Sequence, residues 1–295
     1  MDVNYELYKV FYHVGKTLSF SEASKLLFIS QSAVSQSIKT LEKKLDKTLF
    51  VRSTKKVILT KEGELLFKHI ESAVNLIEKG ENLISDSKEL NGGQLRIAAS
   101  DTICRYYLVP YLNRFHKEFP EIHIQVTNGT SIQCVEYLTS NKVDLIITNY
   151  PNDTLSGVAS VVDLIEFSDV FVANSDSFDL KEKTITYEEL SKLPIMMLEK
   201  NSTTSRFLHD EFLKRGIDLV PDIELSSNDL LIDMAKIGLG IAFVPDYCIS
   251  PMPKDLFEIK LEERMQSRKL VAAYSGAVPM MEIARRFLNI LMENL

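Results

Sequence analysis

The chain has 295 residues, of which 45 % are hydrophobic and 25 % charged, with a formal net charge of −7; that length supports two or three domains with cores of their own, and the composition excludes disordered and fibrous classes. No apolar run reaches 18 residues, and MDVNYELYKVFYHV lacks the basic start and unbroken apolar core of a signal peptide, so a cytoplasmic protein without membrane contact is expected. Three scattered cysteines, Cys104, Cys134 and Cys248, make neither a metal-ligand spacing nor a disulfide framework, so no metal site is expected.

The charge is unevenly placed. Residues 1–60 hold ten Lys and Arg against five Asp and Glu, a net +5, which leaves 24 against 36, a net −12, for the remainder. A basic head on an acidic body points to nucleic-acid contact confined to the head.

In chain order, SFSEASKLLF sets Phe20, Ala23, Leu26 and Leu27 at helical spacing, with Ser19 or Ser21 opening the helix. Phe28-Ile29-Ser30 reads as a tight turn. SQSAVSQSIKTLEKKL then carries two stripes: Val34, Ile38, Leu41 and Leu45 on one face, Ser32, Ser35, Gln36, Lys39 and Lys43 on the other. Ser30 is the expected N-cap, with Gln31 to Ser35 in the first turns. Ser and Gln are mediocre on a solvated helix face, but they exchange hydrogen bonds with base edges, and Lys neutralises phosphate. Helix, short turn, helix is a helix-turn-helix whose second helix meets bases at its N-terminal end. Leu49-Phe50-Val51 and Val57-Ile58-Leu59 read as two short strands around a basic loop, a wing. The DNA-contacting set is therefore Ser19, Ser21, Gln31, Ser32, Ser35, Gln36 and Lys39, with Arg52, Ser53, Thr54, Lys55 and Lys56 from the wing.

From Thr60 to about Lys88 there is no proline, and Gly63, Leu66, Ile70, Ala73, Ile77, Gly80 and Ile84 recur in steps of three and four. Such a helix spans roughly 40 Å. Its apolar seam either packs on its own domain or meets a partner subunit. The partner is preferred, because a two-fold dimer also explains reading two DNA half-sites. Asn91-Gly92-Gly93 is the expected hinge.

Residues 94–295 alternate strands with helices, an α/β pattern with a largely parallel sheet. Strands are expected at QLRIAAS, EIHIQVTN, VDLIITN, PIMMLE, DIELS and GIAFVP. Helices are expected over about 102–118, 131–141, 202–215 and 228–237. Four strand-to-helix junctions carry small hydroxyl and amide side chains: Ser100-Asp101-Thr102, Asn128-Gly129-Thr130-Ser131, Asn201-Ser202-Thr203-Thr204 and Ser226-Ser227-Asn228. One such junction is an ordinary N-cap. Four of them, on the side of a sheet where ligands bind, mark an anion-favouring pocket. Asp101 is awkward beside an anion and is expected to turn outward or bond locally. Arg105 and Arg206 are candidate cations for that pocket.

SFSEASKLLFISQSAVSQSIKTLEKKL, LFVRSTKKVILTKEGE and the long helix after them resemble the bacterial LysR-type transcriptional regulators, and length and layout match over the whole chain. Three positions depart from the family pattern: Leu18 and Asp46 stand where glycine is usual, and Ser32 where proline is usual. The resemblance implies an N-terminal all-α winged helix-turn-helix domain with a long linker helix, and a C-terminal α/β two-subdomain domain similar to type 2 periplasmic binding proteins. The domains are then 1–60 for DNA binding, 61–89 for the linker and dimerisation helix, and 90–295 for effector binding. Within the last, one subdomain takes about 94–163 and 268–295 and the other about 164–267. The match places Ser100, Thr102, Thr130, Ser131, Ser202, Thr203 and Asn228 at effector-binding positions. It implies a homodimer or homotetramer, double-stranded DNA as partner, a small-molecule co-inducer and no cofactor.

Three rivals are weighed. An enzyme would need a motif, and the chain has no H-E-x-x-H, G-x-S-x-G, P-loop or G-x-G-x-x-G, so no catalytic residue is assigned. A secreted solute receptor would need a signal sequence. A thiol-based redox regulator of the same fold remains the alternative, because Cys104 and Cys134 sit near helix starts, where a thiol pKa can fall.

Overall fold

The computed structural model describes residues 3–52, 56–85, 93–157, 159–276 and 279–293. The chain falls into two compact units, Met1–Lys88 with Ser140–Lys142, and Glu89–Thr139 with Val143–Leu295.

The first unit begins with α1 (Tyr5–Thr17), α2 (Phe20–Leu27) and α3 (Gln31–Leu45), then the strands β1 (Phe50–Arg52) and β2 (Val57–Leu59), then the long α4 (Lys61–Ser85). The caps read from the sequence form: Ser19 Oγ accepts from the Glu22 amide at 3.2 Å, and Ser30 Oγ from the Ala33 amide at 3.2 Å. Phe11, Val14, Phe20, Ala23, Val34, Ile38 and Leu41 close a core shared by the three helices and Phe50. The carboxylate of Glu42 leaves α3 to accept from the Leu49 and Phe50 amides, which ties α3 to the start of β1.

Leu18 and Asp46 both sit in the left-handed region, at φ 49° and φ 50°, as the closing residues of α1 and α3. Glycine is usual there because it alone reaches that region without a Cβ penalty. These two departures from the family pattern are therefore local strain, not altered chemistry.

The seam expected along the long helix divides. Gly63 is buried, and a Cβ there would come 2.1 Å from the Leu49 carbonyl oxygen, so glycine is demanded by close packing on the wing base. Leu66 and Ile70 pack on the winged-helix core of their own unit. In this half the seam follows the alternative of packing on its own unit, with Leu66 and Ile70 partly buried there. Further on, Ile77 is 44 % exposed, Ala73 is exposed, and Gly80 has open space around it. The side chain of Ile84, the hinge glycine Gly92, and the wing residues Ser53, Thr54 and Lys55 lie outside the described residues.

The second unit holds two five-stranded sheets. In chain order its elements are β3 (Gln94–Ala99), α5 (Asp101–Ile103), a π-helical turn (Cys104–Leu108), α6 (Val109–Glu118), β4 (His123–Asn128), α7 (Ser131–Thr139), β5 (Leu145–Tyr150), β6 (Ala159–Phe167), β7 (Asp169–Asn174), β8 (Thr184–Ile185), α8 (Tyr187–Leu190), β9 (Ile195–Leu198), α9 (Thr203–Leu213), β10 (Ile223–Leu225), α10 (Asn228–Lys236), β11 (Ile241–Pro245), β12 (Leu256–Glu258), β13 (Lys260–Leu261), β14 (Arg268–Ser275) and α11 (Glu282–Met292). One sheet runs β4-β3-β5-β14-β6, the other β10-β9-β11-β7-β12.

A largely parallel sheet was expected; each sheet is instead half antiparallel. The pairs β3·β4, β3·β5, β9·β10 and β9·β11 are parallel, whereas β14 pairs antiparallel with β5 and β6, and β7 with β11 and β12. The reason is that β7 and β14 are entered from the other sheet, which reverses their direction. The first crossing falls at Ser168, later than position 163, because β6 continues as a nine-residue strand. The return falls between Leu261 and Arg268.

Candidate functional site

Two surfaces carry the functional side chains, one in each unit. On α3, Val34, Ile38 and Leu41 are fully buried and Leu45 packs against the same core, so the opposite stripe is turned outward. Gln31, Ser32, Gln36, Lys39 and Lys43 are exposed, and Ser35 is half-buried. Ser32 shares a 2.9 Å hydrogen bond with the cap hydroxyl of Ser30. Ser21 is exposed on α2, while Ser19 is occupied as that helix's cap. Arg52 closes β1 and Lys56 is exposed just before β2. α3 thus offers amides, hydroxyls and ammonium groups on one face, groups able to bond base edges and phosphates.

In the second unit, four helices start directly after the carboxyl ends of strands: α5 after β3, α7 after β4, α9 after β9 and α10 after β10. Their first turns converge on one cavity of about 300 Å³. All seven effector residues expected from the sequence, Ser100, Thr102, Thr130, Ser131, Ser202, Thr203 and Asn228, line it. Ordinary capping is present too. Ser100 accepts from the Ile103 amide, Thr130 from Gln133, Ser202 from Ser205 and Ser227 from Leu230. The capping hydroxyls hold their helices in place, and Thr102, Thr203, Thr204 and Ser131 are the hydroxyls left over for other partners.

Hydrogen bonds join the two sheets across this cavity. Asn228 Nδ2 donates to Thr102 Oγ1 at 3.0 Å, and Thr203 Oγ1 lies 3.4 Å from Ser131 Oγ. Asn149 Nδ2 lies 3.5 Å from both Thr203 Oγ1 and Thr204 Oγ1. The π-turn swings Tyr106 and Arg105 towards α10, where both bond to Asp229. Burial and that carboxylate raise the Tyr106 phenol well above its usual pKa, so it stays a donor.

Sequence reasoning missed the residues beneath the cavity. Arg268, at the start of β14, is 1 % exposed and pairs at 2.8 Å with Asp169, at the start of β7. Its guanidinium also donates to Thr204 Oγ1 at 3.1 Å and reaches Thr203 Oγ1 at 3.5 Å. Each is the first residue of a strand that enters from the other sheet, and in the sequence each reads as a surface charge next to a turn. Asn149 was also missed; its signal was a polar residue closing the apolar run of β5.

Arg105 and Arg206 do not fill the role of pocket cation. Arg105 is held by Asp229, Arg206 is exposed, and neither lines the cavity. Asp101 does line it and also bonds locally, accepting from Asn128 Nδ2 at 3.2 Å. The cysteines carry no activated thiol. Burial, helped by Asp101, pushes the Cys104 thiol up to about 11. Burial pushes Cys134 up to about 12 and Cys248 higher still. A redox thiol needs the opposite shift.

Residues 5–64 match the bacterial regulatory helix-turn-helix model of the lysR family, and residues 88–295 match the LysR substrate binding domain. The chain belongs to the LysR family. It is a DNA-binding transcriptional regulator with a C-terminal effector domain. Among its relatives, the HTH-type transcriptional activator CmpR of Synechocystis is 28 % identical over 243 residues, covering 82 % of this chain and 79 % of CmpR. The regulator CysB of Burkholderia cenocepacia is 27 % identical, covering 81 % and 77 %. Full-length CbnR complexed with its target DNA has the same fold, with a TM-score of 0.69 at 16 % identity over 99 % of this chain and 100 % of CbnR. The Synechocystis CcmR regulatory domain, solved with 2-PG, gives 0.62 at 22 % identity over 68 % of this chain and 97 % of that one.

Proposed function

We propose that this LysR regulator senses a small metabolite bearing an acid group in the cavity between its two sheets and alters promoter binding in response. The observation that carries the reading is the convergence of seven hydroxyl and amide residues from four helix starts on one cavity. Helix N-termini present free N–H groups and the positive end of the helix dipole, so an anionic group is favoured there. The regulatory domain of CcmR, similar in fold, was solved with 2-PG. Occupancy would shift the balance between two arrangements of the sheets, by as much as the ligand discriminates between them.

On the DNA side, Gln31, Ser32, Ser35 and Gln36 read base edges in this proposal. Ser21, Lys39 and the wing residues Arg52 to Lys56 hold sugar and phosphate, and Ser19 contributes from its cap. Ala73, Ile77 and Gly80 on the distal half of α4 are the proposed dimer contact, because that half keeps its apolar stripe exposed. Assembly into a dimer or tetramer would set the spacing of the two DNA-reading heads. Among the described residues no helix is long and apolar enough to cross a membrane. A cytoplasmic, non-catalytic protein is the reading that fits a DNA-binding regulator.

The test is a thermal-shift screen of the full-length protein against small carboxylates, amino acids, sulfate and phosphate. A ligand at one hundred times its Kd adds about 2.7 kcal/mol of stability. Loss of the shift in Thr102→Val and Thr203→Val supports the cavity; a shift that survives both rejects it.

A further inference from the structure

The walls of the cavity are not those of a site for a bare anion. Among the described residues its lining includes two carboxylates, Asp101 and Glu199, and no Lys, Arg or His. Of the nearby guanidinium groups, Arg105 is held by Asp229, and Arg268, its charge met by Asp169, reaches the cavity only through the hydroxyls of Thr203 and Thr204. A sulfate or a dicarboxylate placed here would meet two like charges and no cation among the described lining residues, with helix N-termini and hydroxyls in its favour.

Two further groups ask for donors. Asn149 is 8 % exposed and Asn228 4 % exposed, and both line the cavity. Each spends its amide nitrogen on a threonine hydroxyl, and each keeps a buried Oδ1 with no hydrogen-bond partner. Buried amide oxygens left unpaired are costly, and each calls for an explanation, such as a water, an ion or a ligand group that donates to it. What they accept is an N–H or O–H. The lining therefore combines donors at the helix starts with acceptors and negative charge on the amides and carboxylates.

We infer that the ligand is a small zwitterion, an amino acid or a close analogue. Its carboxylate is held at the helix N-termini with Thr102, Thr203 and Ser131, and its ammonium group is held by the amide oxygens of Asn149 and Asn228 within the field of Asp101 and Glu199. This rests on the ligand-binding reading of the cavity and narrows it from any anion to one carrying its own cation. An ammonium group supplies three donors, enough for both amide oxygens and a third acceptor. A volume of about 300 Å³ suits a molecule of that size.

The experiment is calorimetric titration of the full-length protein with the twenty L-amino acids. For each that binds, the matching 2-hydroxy acid and the acid with hydrogen in place of the amino group follow, with sulfate and phosphate as simple anions. The expected result is that one amino acid binds at least tenfold more tightly than its hydroxy and deoxy partners. In the double variant Asp101→Asn, Glu199→Gln that ratio falls below threefold, because the cation has lost its field. If sulfate, phosphate or the hydroxy acids bind as tightly as any amino acid, the zwitterion inference is overturned and the anion-sensing reading stands. If no probe binds, both are overturned.

Discussion

Arg268 gives the sharpest test of how the effector domain is held. It is 1 % exposed, its Asp169 partner is 2.8 Å away, and the pair joins the two strands that cross between sheets. Arg268→Met keeps an unbranched apolar stem and removes the guanidinium and its charge. Asp169 is then left buried, with Oδ1 already unpartnered and Oδ2 losing its donor. Breaking one side of such a pair costs about 3–5 kcal/mol. The stranded carboxyl escapes part of that cost by keeping its proton, which places its folded pKa far above the unfolded value near 3.9. For a carboxyl whose pKa is raised by folding, stability is full below the unfolded value and is lost as pH rises towards the folded one. Arg268 is the charge that holds the buried Asp169 carboxyl down against desolvation, so without it the variant should lose stability more steeply than the parent as pH rises from 5 to 7. Urea unfolding followed by far-UV circular dichroism at both pH values reads this as a shift in the effector-domain midpoint. The double variant Asp169→Leu, Arg268→Met should recover most of the loss, because an apolar pair needs no compensation. A cost under about 1 kcal/mol for Arg268→Met, or one that does not grow with pH, would show that the pair is not a dry ion pair and refute the reasoning.

Other outcomes follow from the same geometry. Gln31→Ala and Ser35→Ala should each lower specific operator affinity by about 1–3 kcal/mol with the melting temperature unchanged, as a mobility-shift titration measures; full affinity in both removes α3 as the reading helix. Lys39→Ala should instead flatten the slope of log Kd against log salt by about one unit at most, equally on specific and random DNA. Leu18→Gly and Asp46→Gly relieve left-handed strain at the ends of α1 and α3, and each should raise stability by about 0.5–1 kcal/mol in chemical denaturation; a loss at either site contradicts the strain argument. Cys104, with its pKa pushed up to about 11, should alkylate at pH 8 roughly a hundredfold more slowly than an unburied thiol of pKa 9.0, and faster as pH rises. The same shift favours the neutral thiol in the folded state, so its contribution to stability is full below pH 9 and is lost on approaching pH 11. Rapid labelling at pH 8 would reopen the redox reading.

Local pattern carried far along this chain. The two stripes of α3, the caps Ser19 and Ser30, and the four hydroxyl-rich junctions were legible because each depends on residues within one or two turns of one another. Helical periodicity and N-cap chemistry are short-range, so the residues alone gave the two faces of α3 and the four junctions that line the cavity, and the family resemblance picked out the seven positions within them. What it left open depends on contacts between distant residues. That β7 and β14 run antiparallel to their neighbours follows from where the chain crosses between sheets, and no local signal marks it. That Arg268 is a buried partner of Asp169 rather than a surface charge depends on strands nearly one hundred residues apart. That the first half of the α4 seam is covered by its own unit depends on the close approach of Gly63 to Leu49. That neither Arg105 nor Arg206 lines the cavity is likewise a matter of tertiary packing, since both stand beside the right junctions in sequence and only folding turns one to Asp229 and the other to solvent. Spacing along a chain fixes which face of an element a side chain occupies; which charge it meets there is set only once elements far apart in sequence have packed.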